Sequence, residues 1–179
     1  NARYGTPTFN GSNLTNLPGG GKVLQVVSHH VTSQNSVNNS NWTVFSGLQT
    51  FAITPTASNS KILLLTSWSL TTSNWHMFKF MRKIASGSYA DFLLPSGASG
   101  SQSNGHFSGA KFADGDNELF NSLVCNLYDS PGTTNAVTYQ LYARSWNPNT
   151  IYLNRTQANG NYHSVGNTTS NVTLIEIGA

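Results

Sequence analysis

Two stretches of this chain pair an indole with directional hydrogen-bonding groups, a combination that can hold a sugar ring. Trp75-His76 follows a turn at Thr71–Asn74, and Trp146-Asn147-Pro148-Asn149 reads as a loop with an aromatic at its rim. A third stretch brings Asn159, Asn161, Tyr162 and His163 into one turn-rich segment. A flat aromatic face stacks on the C–H face of a pyranose, while amide and imidazole groups meet its hydroxyls. Trp75, His76, Trp146, Asn147, Asn149, Asn161, Tyr162 and His163 are therefore the candidate receptor or glycan contacts. The structural alternative is that Trp146 caps a sandwich and Tyr162 fills a seam between subunits. Trp42 and Trp68 lie in patterns that fit a core or an interface and are left out of the set.

No catalytic set assembles from the remaining residues. The acids are Asp91, Asp114, Asp116, Glu118, Asp129 and Glu176. A glycosidase needs two carboxylates across a cleft, whereas Asp114-Gly115-Asp116-Asn117-Glu118 reads as a turn. That turn offers oxygen ligands but lacks the twelve-residue calcium loop with its terminal bidentate Glu. His29 and His30 are adjacent, so on a strand they point to opposite faces, leaving one imidazole per subunit for any metal on a symmetry axis. No G-x-S-x-G elbow is present. Cys125 is the single cysteine, which excludes an intrachain disulfide and a Cys-based zinc site. It shares parity with Leu119, Leu123 and Leu127, which predicts a buried, inert thiol. The expectation is a protein that is not an enzyme, with no catalytic residues, no metal and no cofactor.

Composition narrows the class further. Charged residues make up 8% of the 179-residue chain, against about 25% in a typical domain. The 37% hydrophobic content is enough to build a core, and disorder would need low hydrophobicity together with high net charge. The net charge of +3 reflects scarce acids rather than abundant bases. Nucleic-acid binding wants clustered cations; only Lys79, Arg82 and Lys83 come close together, and they read as a solvated strand edge that resists edge-to-edge pairing. No apolar run approaches the ~18 residues of a membrane helix, so no membrane insertion is expected. The chain opens on Asn1 rather than Met, as a fragment or a processed product would.

The elements that must position these residues are strands. Residues 1–21 are punctuated by Gly5, Pro7, Gly11, Pro18 and Gly19-Gly20-Gly21 and read as an extended linker. From Lys22 onward the apolar period is two. Val23, Val27 and Val31 share a face. Thr43–Ile53 is rich in β-branched and aromatic residues and broken by Gly47. Ile62, Leu64, Trp68 and Leu70 share a face, and Leu63 and Leu65 opposite them suggest a strand covered on both sides at one end. His76, Phe78, Phe80 and Ile84 alternate with Met77, Lys79, Met81 and Lys83. Val137, Tyr139, Leu141 and Ala143 alternate with Thr138, Gln140, Tyr142 and Arg144. The closing Val172–Ile177 is apolar on both faces, as suits a central strand or a subunit contact. Gly/Asn/Ser/Pro clusters separate the runs at 35–41, 95–105, 114–117, 129–135, 147–150 and 158–167. The pattern predicts an all-β, antiparallel sandwich or jelly roll of about eight to ten strands over 22–179. A single helical turn could hide only in 113–121.

Several phrases also resemble a known family. Phe9-Asn10-Gly11-Ser12-Asn13-Leu14-Thr15-Asn16-Leu17-Pro18 is similar to the F-x-G-x-x-L-T-N-L-P segment that precedes the C-terminal globular module of phage tail fibres and other virion fibre proteins, of the marine and cyanobacterial phage type. Lys22–Val27 resembles the opening strand of that module, and Gly47-Leu48 through Leu65 its G-L-x-x-x-I-T-P…S-K-I-L phrase. Asp129–Tyr139, Ile151–Arg155 and Leu174–Ile177 follow in matching order. The middle third, 71–118, departs most from the pattern. The resemblance implies a homotrimeric β-rich head at a virion surface, joined to other virion proteins through its N-terminal segment and facing a host surface polysaccharide or receptor. It carries over no catalytic residues. A capsid decoration or head-fibre protein of the same fold, or a self-assembling extracellular filament subunit, are the alternative roles.

Overall fold

The computed structural model describes residues 22–72, 74–109, 121–147, 149–158, 160–161, 163 and 165–178. The proposed linker, the acidic turn at 114–118, the candidate helical turn at 113–121 except Asn121, which opens a strand, and Asn159 and Tyr162 lie outside them. The described residues form two antiparallel sheets facing each other, with no helix. Six long strands carry the architecture: β1 (Val23–Val31), β5 (Lys61–Thr72), β6 (His76–Ile84), β9 (Asn121–Asp129), β10 (Val137–Ser145) and β12 (Ser170–Ile177). Six pieces of two or three residues complete it: β2 (Asn35–Val37), β3 (Thr43–Val44), β4 (Phe51–Ile53), β7 (Ala90–Asp91), β8 (Phe107–Gly109) and β11 (Ile151–Leu153). The total exceeds the eight to ten expected because a period of two leaves no trace in so short a piece.

The short pieces share edges. In the first sheet, β9 lies along one edge of β5, while β12 and then β11 lie end to end along the other. β1 and β2 continue that arrangement outward, paired with β12 and β11. The second sheet is centred on β10 and β6, paired over their full length. β4 and β3 divide the far edge of β10, and β7 and β8 divide the far edge of β6.

Where a strand is interrupted, a side chain replaces the missing ladder bonds, since a buried backbone group without a partner is costly. Asn154, fully buried, stands between β11 and β12 with φ of 59°, a left-handed value that Asn tolerates. Its Nδ2 donates to the carbonyls of Val31 (2.8 Å) and Ser33 (3.0 Å), and its Oδ1 accepts from Ser170 Oγ at 2.6 Å. His106 does the same between β7 and β8. Its Nδ1 accepts the Phe80 N–H at 2.9 Å, so Nε2 carries the proton donated to Phe92 O at 2.9 Å.

The core follows from alternation. Ile62, Leu64, Trp68 and Leu70 of β5 face Phe78 and Phe80 of β6 and Tyr139 and Leu141 of β10. Trp68 bridges the sheets, with its ring 5.9 Å from Phe51 and 6.0 Å from Phe80. Each such side chain contributes roughly 1.5–3 kcal/mol on burial. Cys125 is buried on β9 as parity predicts, and burial pushes its thiol up to about 11. His29 turns inward against Phe51 at 5.4 Å while His30 is exposed, the opposed orientation expected of neighbours on a strand. β12 is central, between β1 and β5.

Two expectations change. β6 is not a solvated edge: β10 flanks it on one side and β7 and β8 on the other. Two of the three cations there are paired. Lys79 Nζ meets Asp91 Oδ1 at 2.5 Å, and Arg82 Nη1 meets Asp129 Oδ1 at 2.6 Å. Asp129 belongs to the first sheet and also accepts Tyr139 Oη at 2.8 Å, so Arg82 and Tyr139 clasp the two sheets together. β5 is covered on both faces at one end, but it is the end at Trp68–Thr72, all buried, and not the end carrying Leu63 and Leu65, where Leu65 is exposed on the outer face.

Candidate functional site

Antiparallel register builds the site. Ser145, the last residue of β10, pairs with His76, the first of β6. The residues just beyond that pair are Trp146 and Trp75, and the Trp146 N–H donates to Trp75 O at 2.8 Å. Both indoles are 62% exposed. Alternation puts them on the same outer face as Met77 and Arg144, which oppose each other one step inward. The Ser/Gly-rich connection between β7 and β8 supplies the facing wall of a cleft of about 1140 Å³. Arg144 Nη1 donates to Ser103 Oγ in that wall. The wall is pressed close at Gly105, where a Cβ would fall 2.8 Å from the Phe78 carbonyl oxygen and 3.2 Å from Met77 Cε.

The other predicted residues separate into groups. His76 borders the cleft but points inward and is 2% exposed, its ring 5.0 Å from Phe78. Its Nδ1 lies 2.9 Å from Asn74 O and must carry the proton, leaving Nε2 an acceptor with no partner among the described residues, beneath Gly109. Burial lowers the pKa of His76, against the opposing pull of the Asn74 carbonyl. Asn147 and Asn149 shape the loop that holds Trp146. Asn147 adopts φ of 54°, and its carbonyl accepts from Ser145 Oγ at 2.7 Å and from the Asn149 N–H at 2.6 Å. Asn161 and His163 are exposed in the β11–β12 connection and do not line the cleft. Met77, Arg144 and the wall escaped the sequence reading. The signal for the first two was present, because both share parity with the neighbouring tryptophan; the wall had only its turn-rich composition.

The electrostatics of this face are basic and aromatic. Trp42 lies against it, with Lys79 Nζ 4.8 Å and the Arg144 guanidinium 6.0 Å from its ring centre. Lys83 Nζ sits 5.2 Å from the Tyr89 ring. The outer face of the first sheet differs. Val26, Ile175, Leu63 and Tyr128 form one cross-strand row over β1, β12, β5 and β9. Val26 is 57%, Tyr128 53% and the nearby Val124 65% exposed.

The class defined by the fold is an all-β antiparallel sandwich. No known family and no curated protein matches the chain. Among solved structures, the D431N mutant VP2 protein of infectious bursal disease virus, in derived T=1 particles, is similar over 87% of this chain and 40% of its own, at 10% identity and a TM-score of 0.37. The structure of the Gx strain of the same virus is similar over 87% and 42%, at 11% identity and a TM-score of 0.34. The chain thus spans about two fifths of either matched chain. Superpositions this loose identify neither a shared topology nor a shared role.

Proposed function

We propose that this chain is a virion structural protein, the head of a phage fibre, which attaches to host surface polysaccharide through the Trp75–Trp146 cleft. The observation that carries the reading is the meeting of two exposed indoles, from distant parts of the chain, at the mouth of one cleft. Exposed Trp side chains are costly to leave in water and are suited to stacking on sugar rings. The fibre assignment is supported by the phrases in 9–18, 22–27, 47–65 and 129–177 that resemble fibre-head modules. In this reading residues 1–21 join the head to other virion proteins, and three copies associate through the apolar row on the first sheet. A contiguous apolar patch of that kind marks an interaction surface.

Adsorption tests the cleft. Trp75→Ala and Trp146→Ala should each reduce virion adsorption to host cells by at least tenfold while the oligomer mass stays constant. Normal adsorption by both variants removes the cleft from attachment and leaves a capsid-decoration role as the better account.

A further inference from the structure

The charge in the cleft narrows its ligand, and the argument rests on the attachment reading above. Arg144 leaves β10 on the same face as Trp146, two residues before it, and borders the cleft. Neither ion pair among the described residues includes Arg144, since these are Lys79–Asp91 and Arg82–Asp129. Its recorded contacts are the Ser103 hydroxyl and the Trp42 ring, both uncharged. No carboxylate among the described residues lines the cleft. A guanidinium carries five N–H donors in a planar fork that matches a carboxylate, and one of its nitrogens is already braced against the wall. Lys83, on the same face at the far end of β6, has no acidic partner among the described residues either. Burial lowers the pKa of His76, against the pull of the Asn74 carbonyl, and so disfavours a second positive charge at the cleft.

We propose that the cleft takes a carboxylate-bearing saccharide, a uronic-acid type of residue, with its carboxylate on Arg144 and its ring faces on Trp75 and Trp146. Neutral sugars would keep the stacking and lose the charge-assisted bonds.

The test uses the full chain and three acidic oligosaccharides, from polygalacturonate, alginate and hyaluronan, each beside its carboxyl-reduced counterpart. Equilibrium binding of at least one acid form should exceed that of its reduced form by about tenfold or more. Arg144→Met, which keeps the apolar stem, should abolish that preference and leave the weaker binding of the reduced form intact. Arg144→Lys should restore part of it. Melting temperature and oligomer mass identify any variant that has lost its fold. Equal binding of acid and reduced forms, an unchanged preference in Arg144→Met, or no binding to any of the three pairs overturns the acidic-ligand proposal. Polyglutamate that binds as tightly as the acidic sugars also overturns it, since the recognition would then be of charge alone. The attachment reading is judged separately, by the adsorption of the two tryptophan variants, and survives each of these failures if they fail to adsorb.

Discussion

The outer faces of the two sheets were built by the same rule and came out unlike. Both arise from strands whose alternate residues point away from a shared core. On the first sheet those residues are Val26, Ile175, Leu63, Tyr128 and Val124; on the second they are Trp75, Met77, Lys79, Lys83 and Arg144. The apolar row is favourable and non-directional to bury, and Lys61 is the charge that shares its face, in the adjoining row. Indoles beside a guanidinium suit a ligand with a ring face and an anionic group. In the proposed reading, assembly would fall to the first sheet and recognition to the second.

The largest effect should come from unlinking the faces. Asp129→Ala would leave Arg82 without its carboxylate and Tyr139 without its acceptor, at a cost of about 3–5 kcal/mol for breaking a buried pair. Chemical denaturation should show both sheets lost in one transition at a much lower midpoint; a midpoint within error of the parent would show that the clasp is not what joins them. Charging the apolar row comes next. Val26→Glu with Val124→Glu should convert the proposed trimer to a monomer by light scattering while the proposed binding to the cleft persists. A trimer that survives the pair of charges, or a parent chain that is monomeric, would reassign the apolar row.

Acidification distinguishes the sheets more subtly. His106 is held neutral in the second sheet: burial lowers its pKa from the ordinary 6.5, partly offset by its bond to Phe92 O. The unfolded chain therefore binds the extra proton more readily. The stability His106 contributes is fully present above pH 6.5 and is lost as pH falls below it. In the first sheet Glu176 behaves as a low-pKa carboxylate. Burial opposes its ionisation, but donors from Gln25 Nε2 and from the Thr56 N–H and hydroxyl outweigh burial and bring it from 4.5 to about 2. Its contribution is intact above pH 4.5 and is lost between 4.5 and 2. Hydrogen exchange at the Phe80 amide, which donates to His106 Nδ1, should accelerate below pH 6.5 while the Thr56 amide, which donates to Glu176, stays protected until below 4.5. Simultaneous loss at one pH would show that the two edges melt together.

Alternation made much of the fold readable in advance. The inward sets of β5, β6 and β10 emerged residue by residue, as did the buried Cys125 and the opposed His29 and His30. The interior position of β6 did not, because β7 and β8 are two- and three-residue pieces contributed from within turn-rich segments. Three of the eight candidate site residues border the cleft: Trp75, His76 and Trp146. Asn147 and Asn149 hold the Trp146 turn through their backbone, by the Asn147 carbonyl and the Asn149 N–H, and do not line the cleft.

By itself the order of residues determined which side of each long strand is apolar, because a side-chain period of two needs no knowledge of neighbours. Register was decided only in the folded chain. Pairing Ser145 with His76 is what sets Trp146 beside Trp75 and Arg144 beside Met77, and a slip of β10 by one residue would have sent Trp146 and Arg144 to the face opposite Trp75 and Met77. Nothing local to either strand encodes that pairing. It follows from the packing of Trp68, Phe80 and Tyr139 between the sheets, which only the complete core can specify.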